Sequence, residues 1–147
     1  MYTSILLAYD GSEHSKRALH AAIECAKLSP DAQLKIVHVV RFDHFEEGVF
    51  SQMTGMVSRA EYRELMLKEG EKILSQAKAV AEDAGLTPTY EVLQGDPARA
   101  IADFAEAHHV DLIVMGRRGL NALQELFIGS VSHRVLQLAK SAVLIVK

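Results

Sequence analysis

Apolar residues run along this chain in two rhythms that alternate. Residues 3–9, 110–115 and 142–146 are short, almost unbroken apolar runs, and residues 33–40 form another with a few polar members. Such runs suit parallel strands covered on both faces. Between them, apolar positions recur every three to four residues, the spacing of a helix that buries one side. Over 13–28 the stripe is Ala18, Leu19, Ala22, Cys25 and Ala26. Over 59–84 it is Tyr62, Met66, Ile73, Ala77, Val80 and Ala84, and over 98–109 it is Ile101, Ala102 and Ala105. Residues 131–139 make a fourth helix. Residues 87–93 read as one more strand, whose Pro88 and mixed polarity place it at a sheet edge.

The ends of these elements carry their own signals. Ser12 is a credible N-cap for the first helix, and Asp96 followed by Pro97 caps the third. Gly85 is a natural stop for the second. The segment 41–58, with Gly48, Gly55, Phe42, Phe45 and Phe50, has no clean period. A connection of this length is either a functional flap or partner surface, or a loop folded onto its own aromatics.

Five strands alternating with four helices predict one α/β domain over residues 1–147: a three-layer α/β/α sandwich around an open parallel sheet. A chain of this length buries roughly 70% of its unfolded surface as a single domain. In such sheets ligands bind beyond the carboxyl ends of the strands, where the strand order reverses. If Asp10 and the loop after the fourth strand share a site, strands one and four must be neighbours. The order 3-2-1-4-5 meets that condition.

Composition narrows the function. A formal charge of −3 argues against a general nucleic-acid binder, which carries a basic excess. No apolar run approaches the roughly 20 residues of a membrane span, and the N-terminus lacks the positive start of a secretory signal. The one cysteine, Cys25, excludes an intramolecular disulfide and fits a reducing cytoplasm, and its place on an apolar stripe makes it a structural thiol.

The chemistry-bearing stretch follows the fourth strand. Gly116, Gly119, Gly129 and Ser130 spell G-x2-G-x9-G-S between a strand and a helix. Glycine lets backbone N–H groups approach an anion with no Cβ in the way, and a helix N-terminus adds unpaired donors and partial positive charge. The pattern points to a nucleotide site. There is no Walker A lysine, no G-x-S-x-G elbow and no sign of a Ser-His-Asp triad. Nor do the seven histidines form a metal pattern: His108 and His109 end a helix, His38 reads as a satisfied core histidine, and His133 faces sideways from the glycine loop.

Ile5-Leu-Leu-Ala-Tyr-Asp-Gly-Ser12, Ile36-Val-His-Val39, Gly95-Asp-Pro97 and Asp111-Leu-Ile-Val-Met-Gly-Arg-Arg-Gly119 together resemble the universal stress proteins over nearly the whole chain. The complete glycine signature resembles that family's ATP-binding branch. The resemblance implies the adenine nucleotide alpha hydrolase-like fold with order 3-2-1-4-5. It also implies homodimers, or tetramers, formed through the last strand. By position it implies adenine against Ala8, Asp10 and Val39, with the Val39 backbone reading its edge, and ribose near Asp10, Met115 and Gly116. The phosphates meet Arg117, Gly119, Gly129, Ser130, Val131 and Ser132, and Tyr9 and Arg118 join the binding set by adjacency. A magnesium ion can bridge the phosphates, although no dedicated carboxylate cluster is visible. The sequence departs from the family at 139–142, Ala-Lys-Ser-Ala, where Pro-Cys-Pro is common, and in placing arginine at 117. The function implied is an ATP-binding, nucleotide-responsive regulator of a partner protein or stress response. The alternatives are a slow ATPase or nucleotide-dependent transferase, and a dimerising module with a vestigial site.

Overall fold

The computed structural model describes residues 1–42, 58–117 and 128–147. Within them, five strands alternate with four helices: β1 (Ser4–Ala8), α1 (Glu13–Lys27), β2 (Gln33–Val40), α2 (Arg59–Asp83), β3 (Thr89–Gln94), α3 (Pro97–Ala107), β4 (Leu112–Gly116), α4 (Ser130–Leu138) and β5 (Ala142–Val146). The bounds of β2 and β5 match the sequence expectation, and the other elements shift by one or two residues at their ends. All strand pairs are parallel, in the order β3-β2-β1-β4-β5. The strand carrying Pro88 at its entrance is indeed at an edge.

Two apolar layers flank the sheet. On one face Ile5, Leu7, Tyr9 and Ile36 pack against Ala18, Leu19 and Ala22 of α1 and Leu74 and Ala77 of α2. On the other, Leu6, Val37, Ile113 and Met115 pack against Ala98, Ile101 and Ala105 of α3 and Val135 of α4. Ile5, Leu6 and Leu7 are fully buried in succession, which explains their unbroken apolar run. Each contributes about 1.5–3 kcal/mol by leaving water.

The helix starts follow their caps. Ser15 N–H donates to Ser12 Oγ at 3.1 Å, and Arg99 N–H donates to Asp96 Oδ2 at 3.1 Å. Ser58 and Glu61 form a reciprocal capping box at the start of α2. Gly85, at φ +89°, stops α2 by turning into the left-handed region. The buried side of α2 differs from the expected stripe. Tyr62 and Ala77 are buried as expected, but the remaining buried positions are Gly70, Leu74 and Ala81, while Val80 is exposed. A glycine and small alanines define that face, and they carry little hydrophobic signal. Cys25 is only partly buried, packed at the margin of the α1 layer.

Candidate functional site

The carboxyl ends of β2, β1 and β4 lie side by side, as parallel pairing requires. Ala8 pairs with Val37 on one side and with Met115 on the other. Val39 and Gly116 therefore run past the end of β1 to either side of the Tyr9–Asp10 turn. Ala8, Val39 and Val131 are half-buried around the layer that holds Met115, so four of the expected residues share one face. Tyr9 does not join them. Its ring is buried in the opposite layer, and burial pushes its phenol above the ordinary value.

Asp10 opens the turn into α1. Its Oδ1 accepts from Ser12 N–H at 2.9 Å, a turn characteristic of Asp and Asn. Its own N–H donates to Ser15 Oγ at 3.4 Å. Among the described residues Oδ2 has no hydrogen-bond partner, so one carboxylate oxygen shapes the turn and the other is open to a ligand hydroxyl.

Val39 offers a main-chain edge. Tyr9 N–H donates to the Val37 carbonyl at 2.9 Å, so Val37 presents its polar groups toward β1. Two residues on, Val39 presents its N–H and C=O in the same direction. There β1 has already turned into Asp10 and Gly11, and among the described residues no main-chain group bonds to either.

Gly116 has a packing role that its motif does not announce. A Cβ built there lies 2.7 Å from the His14 carbonyl carbon and 2.8 Å from the His14 Cβ. The glycine lets α1 press against the end of β4, and that packing alone demands it. The Ser132 side chain is also committed to the fold. Its buried hydroxyl meets the Gly116 carbonyl at 2.8 Å and the Arg117 carbonyl at 3.2 Å, and a single hydrogen shared between two carbonyls leaves none to donate to phosphate. Arg117 is held through its main chain: its N–H donates to the Val146 carbonyl at 2.8 Å, and its carbonyl accepts from Gly129 N–H at 2.7 Å. Arg118 and Gly119 lie outside the described residues, as does most of the 41–58 segment.

The start of α4 stands apart electrostatically. Side chains of Ser12, Ser58 and Asp96 cap the other three described helices, whereas the cap of α4 is Gly129, with no side-chain hydrogen bond and no acid in the first turn. The first amide to find a backbone acceptor is His133, bonded to the Gly129 carbonyl at 3.0 Å. The N–H groups of Ser130, Val131 and Ser132 therefore have no intrahelical acceptor, and among the described residues no side chain caps the positive end of this helix. Gly129 sits at φ −63° and ψ 156°, open to any residue, so backbone conformation does not explain it. Arg134, one turn on, places Nη1 at 3.3 and 3.4 Å from the two carboxylate oxygens of Asp96 and ties α4 to the cap of α3.

Two of the described histidines make structural contacts, His38 with the Tyr9 carbonyl and His108 within α3 and its cap. His108 stacks on Phe104 with centroids 3.9 Å apart, and its Nδ1 donates to the Phe104 carbonyl at 2.9 Å. His133 is exposed, as its place in the helix predicted. Among the described residues no three His, Cys, Asp or Glu side chains are grouped to hold a metal ion, and no helix is long and apolar enough to cross a membrane.

The family model described as universal stress protein family matches residues 1–147. Universal stress protein YxiE of Bacillus subtilis strain 168 is 41% identical, with both chains covered in full. Universal stress protein MJ0531 of Methanocaldococcus jannaschii is 36% identical, over all of this chain and 83% of its own length. Among solved structures, a universal stress protein in complex with cAMP superposes with a TM-score of 0.72 at 27% identity, covering 99% of this chain and 97% of that one.

Proposed function

This chain belongs to the universal stress protein family, and on that premise we propose that it binds ATP along the carboxyl margin of its sheet and acts as a nucleotide-responsive regulator. The observation that carries the reading is the start of α4, which has no side-chain cap among the described residues and is held to the Gly116–Arg117 carbonyls at the end of β4 through the Ser132 hydroxyl. That arrangement suits a phosphate chain, with Ser130, Val131 and Ser132 supplying main-chain donors, Gly129 giving room for close approach and Arg117 supplying charge. Arg118 and Gly119 belong to the same set through the glycine signature. The open oxygen of Asp10 suits a ribose hydroxyl, beside Met115 and Gly116. The half-buried Ala8 and Val39 suit the flat face of adenine, and the Val39 main chain suits its polar edge. The solved relative in complex with cAMP supports an adenine nucleotide as the class of ligand.

Regulation follows by linkage: a ligand that binds one state of the protein more tightly shifts the population toward that state. The exposed edge of β5, with Leu144 on the outside, suits pairing with a second copy, and we assign the states to differences in self-association and in contact with a regulated protein.

Gly129→Val tests the reading. Its backbone angles admit valine, but a branched Cβ obstructs close approach of phosphate, so ATP affinity should fall at least about tenfold while the circular dichroism and melting profile stay unchanged. Calorimetry showing equal affinity for the two proteins rejects the phosphate assignment. Steady ATP hydrolysis by the purified protein, dependent on magnesium and lost in Gly129→Val, identifies an ATPase rather than a regulator.

A further inference from the structure

His38 interrupts the sheet at the one place where an adenine edge needs main-chain groups. In an ideal parallel ladder the Tyr9 carbonyl, which faces β2, accepts from Val39 N–H. Here that carbonyl is met by His38 Nδ1 at 2.8 Å. A carbonyl only accepts, so the hydrogen sits on Nδ1 and the tautomer is fixed. The last rung between the strands is Tyr9 N–H to the Val37 carbonyl, and the rung that should follow is missing among the described residues. Gly11, at φ +82°, turns the chain away, and the register offers the Val39 carbonyl no donor either.

The ring has been given room for this bond. A Cβ built on Gly70, in the middle of α2, lies 3.2 Å from His38 Cδ2 and 3.1 Å from Val92 Cγ1. A glycine in a helix interior is intrinsically unfavourable, and this one faces the imidazole that reaches across to β1.

We infer that His38 is a positioning residue for base recognition: by drawing the Tyr9 carbonyl to its own ring, out of line with Val39 N–H, it ends the β1–β2 ladder one rung early and, among the described residues, leaves the Val39 N–H and C=O open as a donor–acceptor pair. The pair matches adenine, whose N1 accepts and whose N6 amino group donates. It mismatches hypoxanthine, whose N1–H donates and whose O6 accepts. The inference rests on the proposed nucleotide site for its ligand, but the interrupted ladder is testable without one.

Amide hydrogen exchange on the free protein is the first arm. Val39 should exchange much faster than Val37, and in His38→Leu the Tyr9 carbonyl should be released to Val39, whose amide then slows. Val39 protected like Val37 in the native protein overturns the inference, as does a Val39 amide unchanged in a folded His38→Leu. The second arm compares ATP with ITP by calorimetry. The native protein should prefer ATP, and His38→Leu should lose about tenfold of that preference. His38→Asn, which keeps an N–H donor, should retain most of it. A merely structural histidine lowers both affinities together and leaves their ratio intact, and that result also overturns the inference. Absence of any nucleotide binding by the native protein counts against the proposed site, while the exchange arm still judges the role of His38 in the ladder.

Discussion

Two glycines in one motif do different work at the level of the residue. Gly116 is enclosed by the main chain of His14, whereas Gly129 has ordinary angles at an uncapped helix start. Gly116→Ala should therefore lower stability by about 1–3 kcal/mol through overpacking, read as a shifted midpoint in urea denaturation. Equal stability of that variant and the native protein contradicts the packing role. The sequence alone could not separate the two, because a glycine demanded by packing and a glycine at a helix start are written with the same letter. Ser132 is a similar case. Its place after the motif reads as a phosphate donor, and only the fold shows its hydroxyl turned back on the Gly116 and Arg117 carbonyls. Ser12 was legible because a cap depends on neighbours in the chain. His38 was legible as a satisfied histidine, but its partner was not, since the Tyr9 carbonyl lies 29 residues away.

At the scale of elements, the strands were the most legible part of the chain. A run such as Ile5-Leu6-Leu7, buried on both sides, has little alternative to a central parallel strand. The second helix was the least well read in detail. Its existence and its ends were clear, but its buried face follows Gly70, Leu74, Ala77 and Ala81 rather than a line through Val80. Leu74→Ala should cost about 2–5 kcal/mol and Val80→Ala less than about 0.5 kcal/mol, measured by thermal or chemical unfolding. The reverse ranking restores the original stripe. The face is set by a close approach between α2 and the β2–β3 pair, where small residues matter more than greasy ones.

For the whole molecule, the alternation of strands and helices was compatible with the order 3-2-1-4-5, the resemblance to the universal stress proteins implied it, and the sheet has it. That order puts β3 and β5 at the two edges, and they are unlike. The β3 edge carries Tyr90 under Lys78, whose ammonium sits 4.6 Å from the ring centre and donates to the phenol oxygen at 2.5 Å. A charged side chain over an edge discourages further pairing. The β5 edge offers Ala142 and Leu144 to solvent instead. If self-association runs through β5, Leu144→Glu should shift the native protein to monomer in sedimentation velocity, while a charge at Tyr90 leaves its mass unchanged. An unaltered sedimentation profile for Leu144→Glu places the interface elsewhere.

The Arg117 carbonyl has a consequence for how this fold can be altered. Arg117 follows the last residue of β4 and Gly129 precedes the first residue of α4, and the two are hydrogen-bonded to each other at 2.7 Å. The end of β4 and the start of α4 are thus latched together, a second time through Ser132. A foreign peptide spliced between them begins and ends at the same latch, whatever its length. Its size enters the free energy only through closure entropy, about 0.6 kcal/mol for each doubling. With the latch intact the helix behind it should keep its place, which makes the span between Arg117 and Gly129 a port for a reporter of the proposed nucleotide.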